Sequence, residues 1–155
     1  LMENEWGYAH AQGSQTNSGR ADALTDIQFG NFDQDSVVAS AEGMGNSAVV
    51  SNIGADVFVG LDQNNIGQVN ATMRFQGNDG AEVIGSASAF GNAVTGYSCN
   101  ECPNTQATGQ VNQTNSGRVT STFQASQQTG WGITGSANSV GNSASFVTTS
   151  PYDDD

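Results

Sequence analysis

The sequence predicts an all-β chain. It reads as a β-solenoid of about six strand-turn-strand rungs, grouped as three double repeats of about 48–50 residues, that stacks into a filament. Three observations predict this. The frame Gln-x-Asn-x-Gly-x-(Ala/Val)-x-(Ala/Ser) occurs at Gln15–Ala23, Gln63–Ala71 and Gln113–Ser121, at intervals of 48 and 50 residues. A second frame, Ala-x-x-(apolar)-Gly-Asn-(Ser/Ala)-(Ala/Val), alternates with it at Ala41–Ala48, Ala87–Val94 and Ala137–Ala144. Together they place a glycine at Gly19, Gly45, Gly67, Gly91, Gly117 and Gly141, and units of about two dozen residues are the mark of a stacked array.

Alternation decides what each unit is. Val111, Gln113 and Asn115 precede Gly117, and Val119, Ser121 and Phe123 follow it, on every second position with polar residues between. A period of two means strand, one face in and one face out. The central glycine marks a turn, where positive φ costs little. In the second frame the apolar positions fall one residue differently: Met44, Phe90 and Val140 stand just before the glycine, and Ala48, Val94 and Ala144 stand three after it. Two classes of rung follow, with different turn registers.

Stacking puts like over like. Gln15, Gln63 and Gln113 align every second rung, as do Asn17, Asn65 and Asn115, and Asn46, Asn92 and Asn142. Amides spaced at roughly 4.8 Å bond to one another as ladders, so that an inward polar row satisfies itself.

In chain order, residues 1–14 form an N-terminal segment, 15–150 the repeat domain, and 151–155 an acidic tail. Leu1 precedes Met2, and no cationic residue and apolar run stand before Ala9-His10-Ala11, so the start reads as a trimmed product or a piece of a longer array rather than a signal peptide. Trp6 and Tyr8 are candidates to cap the first rung. The run Phe29–Asp35 is placed at a rung corner, and Ala55–Leu61, the most hydrophobic stretch, reads as a strand entering the third unit.

With 155 residues there is room for one domain. Only 35% of residues are hydrophobic, which alone suggests disorder, but the fixed period, two prolines and the recurrent Val, Phe and Thr favour strands. The net charge of −12 sets fifteen acids against Arg20, Arg74 and Arg118, which excludes the clustered cations that nucleic acid requires. No apolar run reaches the length of a membrane span, and no spaced aspartate loop for calcium is present.

The remaining motifs point away from chemistry. Cys99-Asn100-Glu101-Cys102 could be a redox centre, half a zinc site or a local disulfide; zinc wants four ligands and His10 lies far off, so a disulfide-pinned loop is preferred, with an intermolecular bridge as the alternative. His10 reads as solvated, and Asp153–Asp155 as a charged tail. The sequons at Asn70 and Asn112 belong to the repeat frame. Acids do not recur in register: Asp22 falls opposite Asn70 and Thr120, and Glu42 opposite Ser88 and Asn138. No catalytic, metal or cofactor site is expected.

The spacing from Gln113 to Gln124, with Gly-Asn-Ser-Ala at 45–48 and 141–144, resembles the curlin repeat across residues 15–150. It departs from that repeat in its longer unit, its two cysteines, and Asp26 and Arg74 standing where the second glutamine belongs. The chain is similar, too, to the curlin-like surface proteins of alphaproteobacteria that anchor holdfast adhesive. These resemblances imply a secreted extracellular subunit of functional amyloid at the bacterial cell surface, serving adhesion, anchoring or biofilm matrix. The implied partners are its own copies, head to tail, and outer-membrane secretion or anchoring proteins. The alternative is a monomeric solenoid that binds a surface, a polysaccharide or ice; only Thr120 and Thr122 supply the Thr-x-Thr that ice binding would repeat.

Overall fold

The computed structural model describes residues 1–5, 7–32, 36–99 and 105–149. Every regular element among them is a strand: β1 (Met2–Glu5), β2 (Ala9–Asn17), β3 (Ala21–Phe32), β4 (Val37–Ile53), β5 (Val57–Asn65), β6 (Val69–Cys99), β7 (Ala107–Asn115) and β8 (Val119–Thr149). Every pairing is parallel. β2, β5 and β7 form one sheet, while β3, β4, β6 and β8, with β1 at the edge of β4, form the other.

Register follows the repeat. Ala9 pairs with Val57 and Val57 with Ala107; Ala21 pairs with Val69 and Val69 with Val119; Val37 pairs with Val83 and Val83 with Ile133. Each step is one double repeat, so residues 9–53, 57–99 and 107–149 form three copies, each hydrogen-bonded to the next. The stack counts three layers where the sequence reading counted six. The two halves of a double repeat face one another instead. Gln15 Nε2 donates to Ser47 O at 3.1 Å, and the same contact recurs from Gln63 to Ala93 O at 3.2 Å and from Gln113 to Ser143 O at 2.8 Å. The physical reason is burial: each half carries one inward row, and two such rows cover each other only when they face.

Within a copy the chain runs out and doubles back. Straight, the 31 residues of β6 would span about 100 Å. Instead Met73 Cε lies 3.0 Å from where a Cβ on Gly85 would stand, so the strand reverses between them. Pairing persists near this corner, with Asp79 against Thr129 and Gly80 against Gly130. The Phe29–Asp35 corner falls at the equivalent place in the first copy, with residues 33–35 outside the described set.

The core is thin and divided. One cluster joins Val69, Ala71, Met73 and Phe75 to Ala41, Val83, Ala87 and Ala89. The other joins Ala9, Val57, Val59 and Leu61 to Val50 and Val94. Stacking, more than facing, completes burial: Val83 in the middle copy is 0% exposed, whereas Ile133, the same position in the third, is 42% exposed.

Two glycine expectations change. Among the described residues the glycine with positive φ is Gly54 (φ 82°), at the step from the first copy to the second, where its N–H donates to Cys99 O at 2.9 Å. Gly19, Gly67 and Gly117 do sit in breaks between strands, but Gly45, Gly91 and Gly141 lie inside β4, β6 and β8. There the inward alternation slips by one: Ala89 is buried, and after Gly91 so is Asn92. Met44 stands just before the slip, in the outward phase set by buried Ala41 and Gly43, and is 40% exposed, so it is no core position.

Candidate functional site

Three files of amides run through the stack between the two apolar clusters. Gln113 Nε2 donates to Gln63 Oε1 at 2.9 Å, and Gln63 Nε2 to Gln15 Oε1 at 2.6 Å. Asn17 Nδ2 donates to Asn65 Oδ1 at 2.7 Å, and Asn65 Nδ2 to Asn115 Oδ1 at 2.6 Å. Asn46 Nδ2 donates to Asn92 Oδ1 at 2.8 Å, and Asn92 Nδ2 to Asn142 Oδ1 at 2.7 Å. All nine amides expected to form ladders are therefore joined along the stack.

The middle-copy amides Gln63, Asn65 and Asn92 can be buried because both N–H groups of each are used. Asn46, Asn92 and Asn142 donate across the core to the carbonyls of Asn64, Thr114 and Gln113, at 3.1, 2.8 and 3.2 Å. Asn65 and Asn115 donate to the carbonyls of Gly67 and Gly117, each at 3.1 Å. Gln63, Asn65 and Asn92 are almost wholly buried. A buried amide without such partners costs several kcal/mol in an apolar setting, of order 2–7. These cross-core bonds were not legible from the repeat, because they join its two unlike halves.

The repeat glycines serve close approach rather than a left-handed turn. A Cβ on Gly67 would collide with Gly19 O, and one on Gly117 with Gly67 O. A Cβ on Gly45 would stand 2.5 Å from Gly91 O, and one on Gly91 2.5 Å from Gly141 O.

The ends of the stack present unpaired edges. Among the described residues β7 and β8 pair on one side only, as do β2 and β3, while β1 covers residues 50–53 of β4. On the outer faces the amides meet acids: Asn70 Nδ2 donates to Asp22 Oδ1 at 2.7 Å and Asn112 Nδ2 to Asp62 Oδ1 at 2.8 Å. Arg20 Nε lies 2.6 Å from Asp22 Oδ2. The Arg20 hydrogen bond first, then that from Asn70, holds the Asp22 carboxyl below the ordinary aspartate range. What that pair adds to stability is present above the unfolded pKa and is lost as pH falls through the folded one. An Arg20→Gln variant is expected to move the Asp22 carboxyl titration, followed by carbon NMR, back up toward its ordinary value. An unmoved titration would contradict the pairing.

The other residues singled out by sequence do not converge. His10 is exposed, its ring 5.1 Å from Phe58 and 6.0 Å from Tyr8. Cys99 ends β6 as a free, half-buried thiol, and Cys102 lies outside the described residues, as do Trp6 and the acidic tail. Asp22 falls beside Asn70 and Glu42 beside Ser88, as the frame expects. Among the described residues no three His, Cys, Asp or Glu side chains gather as a metal site requires. No helix among them is long and apolar enough to cross a membrane.

Comparison with curated proteins gives no match. Comparison with solved structures gives none either. A family model does match: over residues 1–69, which take in the first copy and the start of the second, the chain is similar to holdfast attachment protein D.

Proposed function

We propose that this chain is a structural subunit of an extracellular fibre at the bacterial cell surface: a curlin-like β-solenoid that stacks end to end and anchors adhesive to the cell. The observation that carries the reading is the in-register parallel stacking of three copies, in which, among the described residues, β2, β3, β7 and β8 each keep an unpaired edge. An edge of that kind is a template for another chain, and solenoids that stay single blunt it with caps. The amide files would pass from subunit to subunit without interruption, which is the arrangement that stabilises cross-β assemblies. Similarity to holdfast attachment protein D over residues 1–69 supports adhesion and surface anchoring as the setting. In this reading the protein carries out no chemistry, and its partners are its own copies and the outer-membrane proteins that export or hold it.

Electron microscopy of the purified chain across a concentration series tests the proposal. Unbranched filaments are expected, with a 4.7–4.8 Å repeat along the axis in fibre diffraction. Discrete particles at every concentration would sink it and favour a monomeric binding module.

A further inference from the structure

We infer that the outer face of the sheet formed by β2, β5 and β7 carries a binding site for a neutral pyranose of a glycan, built around Gly60 from Phe58, His10, Gln12, Gln110 and Asp62. The fibre reading uses the edges of the strands. This site uses their outward face, and the two stand independently.

The inference starts where the repeat is broken. Inward, Gln15, Gln63 and Gln113 recur unchanged, because each bonds to the next. Outward, three successive files on the same strands hold unlike residues: His10, Phe58 and Thr108; then Gln12, Gly60 and Gln110; then Ser14, Asp62 and Asn112. Stacking asks for none of these differences. A recess of about 430 Å³ opens among them, lined by Gly60 and its neighbours in all three files. The layers on both sides of Gly60 belong to the same chain, so the recess is complete in one subunit.

Its shape suits a flat ring. A Cβ on Gly60 would stand 3.2 Å from Phe58 Cε1 and 3.9 Å from Cζ, so the missing side chain makes room for the phenyl ring to lean along the strand. The His10 imidazole meets that ring edge-on, with centroids 5.1 Å apart and planes at 76°. One ring is a floor and the other a wall, and the electron-rich face of an aromatic ring attracts the C–H face of a pyranose.

The polar groups suit hydroxyls. Gln12 and Gln110 flank Gly60 two strand spacings apart, about 9.6 Å. Neither amide has a hydrogen-bond partner among the described residues, and each offers two donors and an acceptor. Asp62 Oδ1 accepts from Asn112 Nδ2 at 2.8 Å, which holds the carboxylate in place and leaves Oδ2 to accept from a hydroxyl in a charge-assisted bond. Charge selects the class of sugar. None of the three arginines lies on β2, β5 or β7, and the chain carries −12, so a uronate or a phosphate is repelled. An apolar ligand would cover both amides and Asp62 while answering none of them.

Saturation-transfer NMR on the full chain tests the site, because it reads the ligand and serves for single subunits and filaments alike. The probes are cellohexaose, laminarihexaose, maltohexaose and chitohexaose, with hexagalacturonate as the anionic comparison. At least one neutral probe should bind, with a Kd of about 0.1–1 mM, and in dilute protein should shift the imidazole signals of His10, the one histidine of the chain. Gly60→Gln gives the middle copy the residue that its file holds at 12 and 110. It should melt no lower than the parent yet weaken binding by about 10-fold or more. Phe58→Thr, which takes the residue found at Thr108, should weaken it as much, and it decides the matter if the Gly60 variant does not fold. Unchanged binding in either folded variant would overturn the site. So would the failure of every neutral probe to bind the parent at about 10 mM. Hexagalacturonate bound as tightly as the neutral probes would overturn the assignment to a neutral sugar. Filament formation is read separately by electron microscopy, and its failure would leave this site standing.

Discussion

Replacing Gly67 by alanine is expected to destabilise the chain by about 3 kcal/mol, at the upper end of what overpacking costs, because the added methyl lands on backbone rather than on a side chain that can turn away. Its position is taken by Gly19 O, and Asn17 Nδ2 would lie 2.9 Å from it. Relief requires the first and second copies to part at the break where Gly67 N donates to Asn17 O at 3.0 Å and Ile66 N donates to the same oxygen at 2.9 Å. The file joining Asn17 to Asn65 starts from this place, so the loss would spread along the stack.

Gly132→Ala is the control. Nothing lies within 4 Å of a Cβ at Gly132, which sits in β8 without a left-handed φ. There the substitution should be neutral or slightly stabilising, by up to about 1 kcal/mol through the unfolded chain. In thermal melting the Gly67 variant should fall by roughly 6–12 °C, taking about 2–4 °C per kcal/mol for a chain of this size. Equal melting of the two variants would show that the copies are not held as close as the register requires. The parent and both variants must be compared below the concentration at which any assembly begins, since association stabilises by mass action.

Much of this architecture was legible because a parallel stack pairs each residue with its own equivalent. Aligning Gln15 with Gln63 and Gln113 on paper is the same operation as pairing β2 with β5 and β7. Ladders, register and the isolation of Asp22 and Glu42 from other acids all followed from that identity. What identity could not reveal was the relation between unlike frames. Likeness says which positions are equivalent, and it is silent on whether Gln63 stacks above or faces the Asn92 half, so six rungs could not be told from three facing pairs. The same ambiguity affects glycine, which a chain uses either for a left-handed φ or for the missing Cβ. Gly54 serves the first purpose and lies outside both frames; Gly45, Gly67, Gly91 and Gly117 of the frames mark close approach. Recurrence in a stack is thus better evidence for crowding between layers than for turning.

Asn92→Leu should be the most damaging single change in the amide files, at about 4 kcal/mol, because its partners remain when it is gone. Asn92 is fully buried, accepts from Asn46, and donates to Asn142 and to Thr114 O. Leucine has the same branched outline, with bulkier methyl ends, and answers none of these groups. Three partners lose a bond, two of them acceptors that had been satisfied by one side chain, at about 1–3 kcal/mol for each that stays buried and unpaired. The fraction that water can reach sets the total: Thr114 O and Asn142 lie toward the open third copy, and Asn46 keeps its bond to Asn64 O. By contrast Asn70→Leu breaks a bond to an exposed Asp22 and a long one, 3.3 Å, accepted from Gln68, both on the outer face, and should stay within about 0.5 kcal/mol. Urea unfolding of the two variants separates a polar file that holds the layers from one that merely accompanies them. The ladder account requires Asn92→Leu to lose several kcal/mol against Asn70→Leu, and a difference below about 1 kcal/mol would mean that apolar packing of the two clusters carries the stack without the amides.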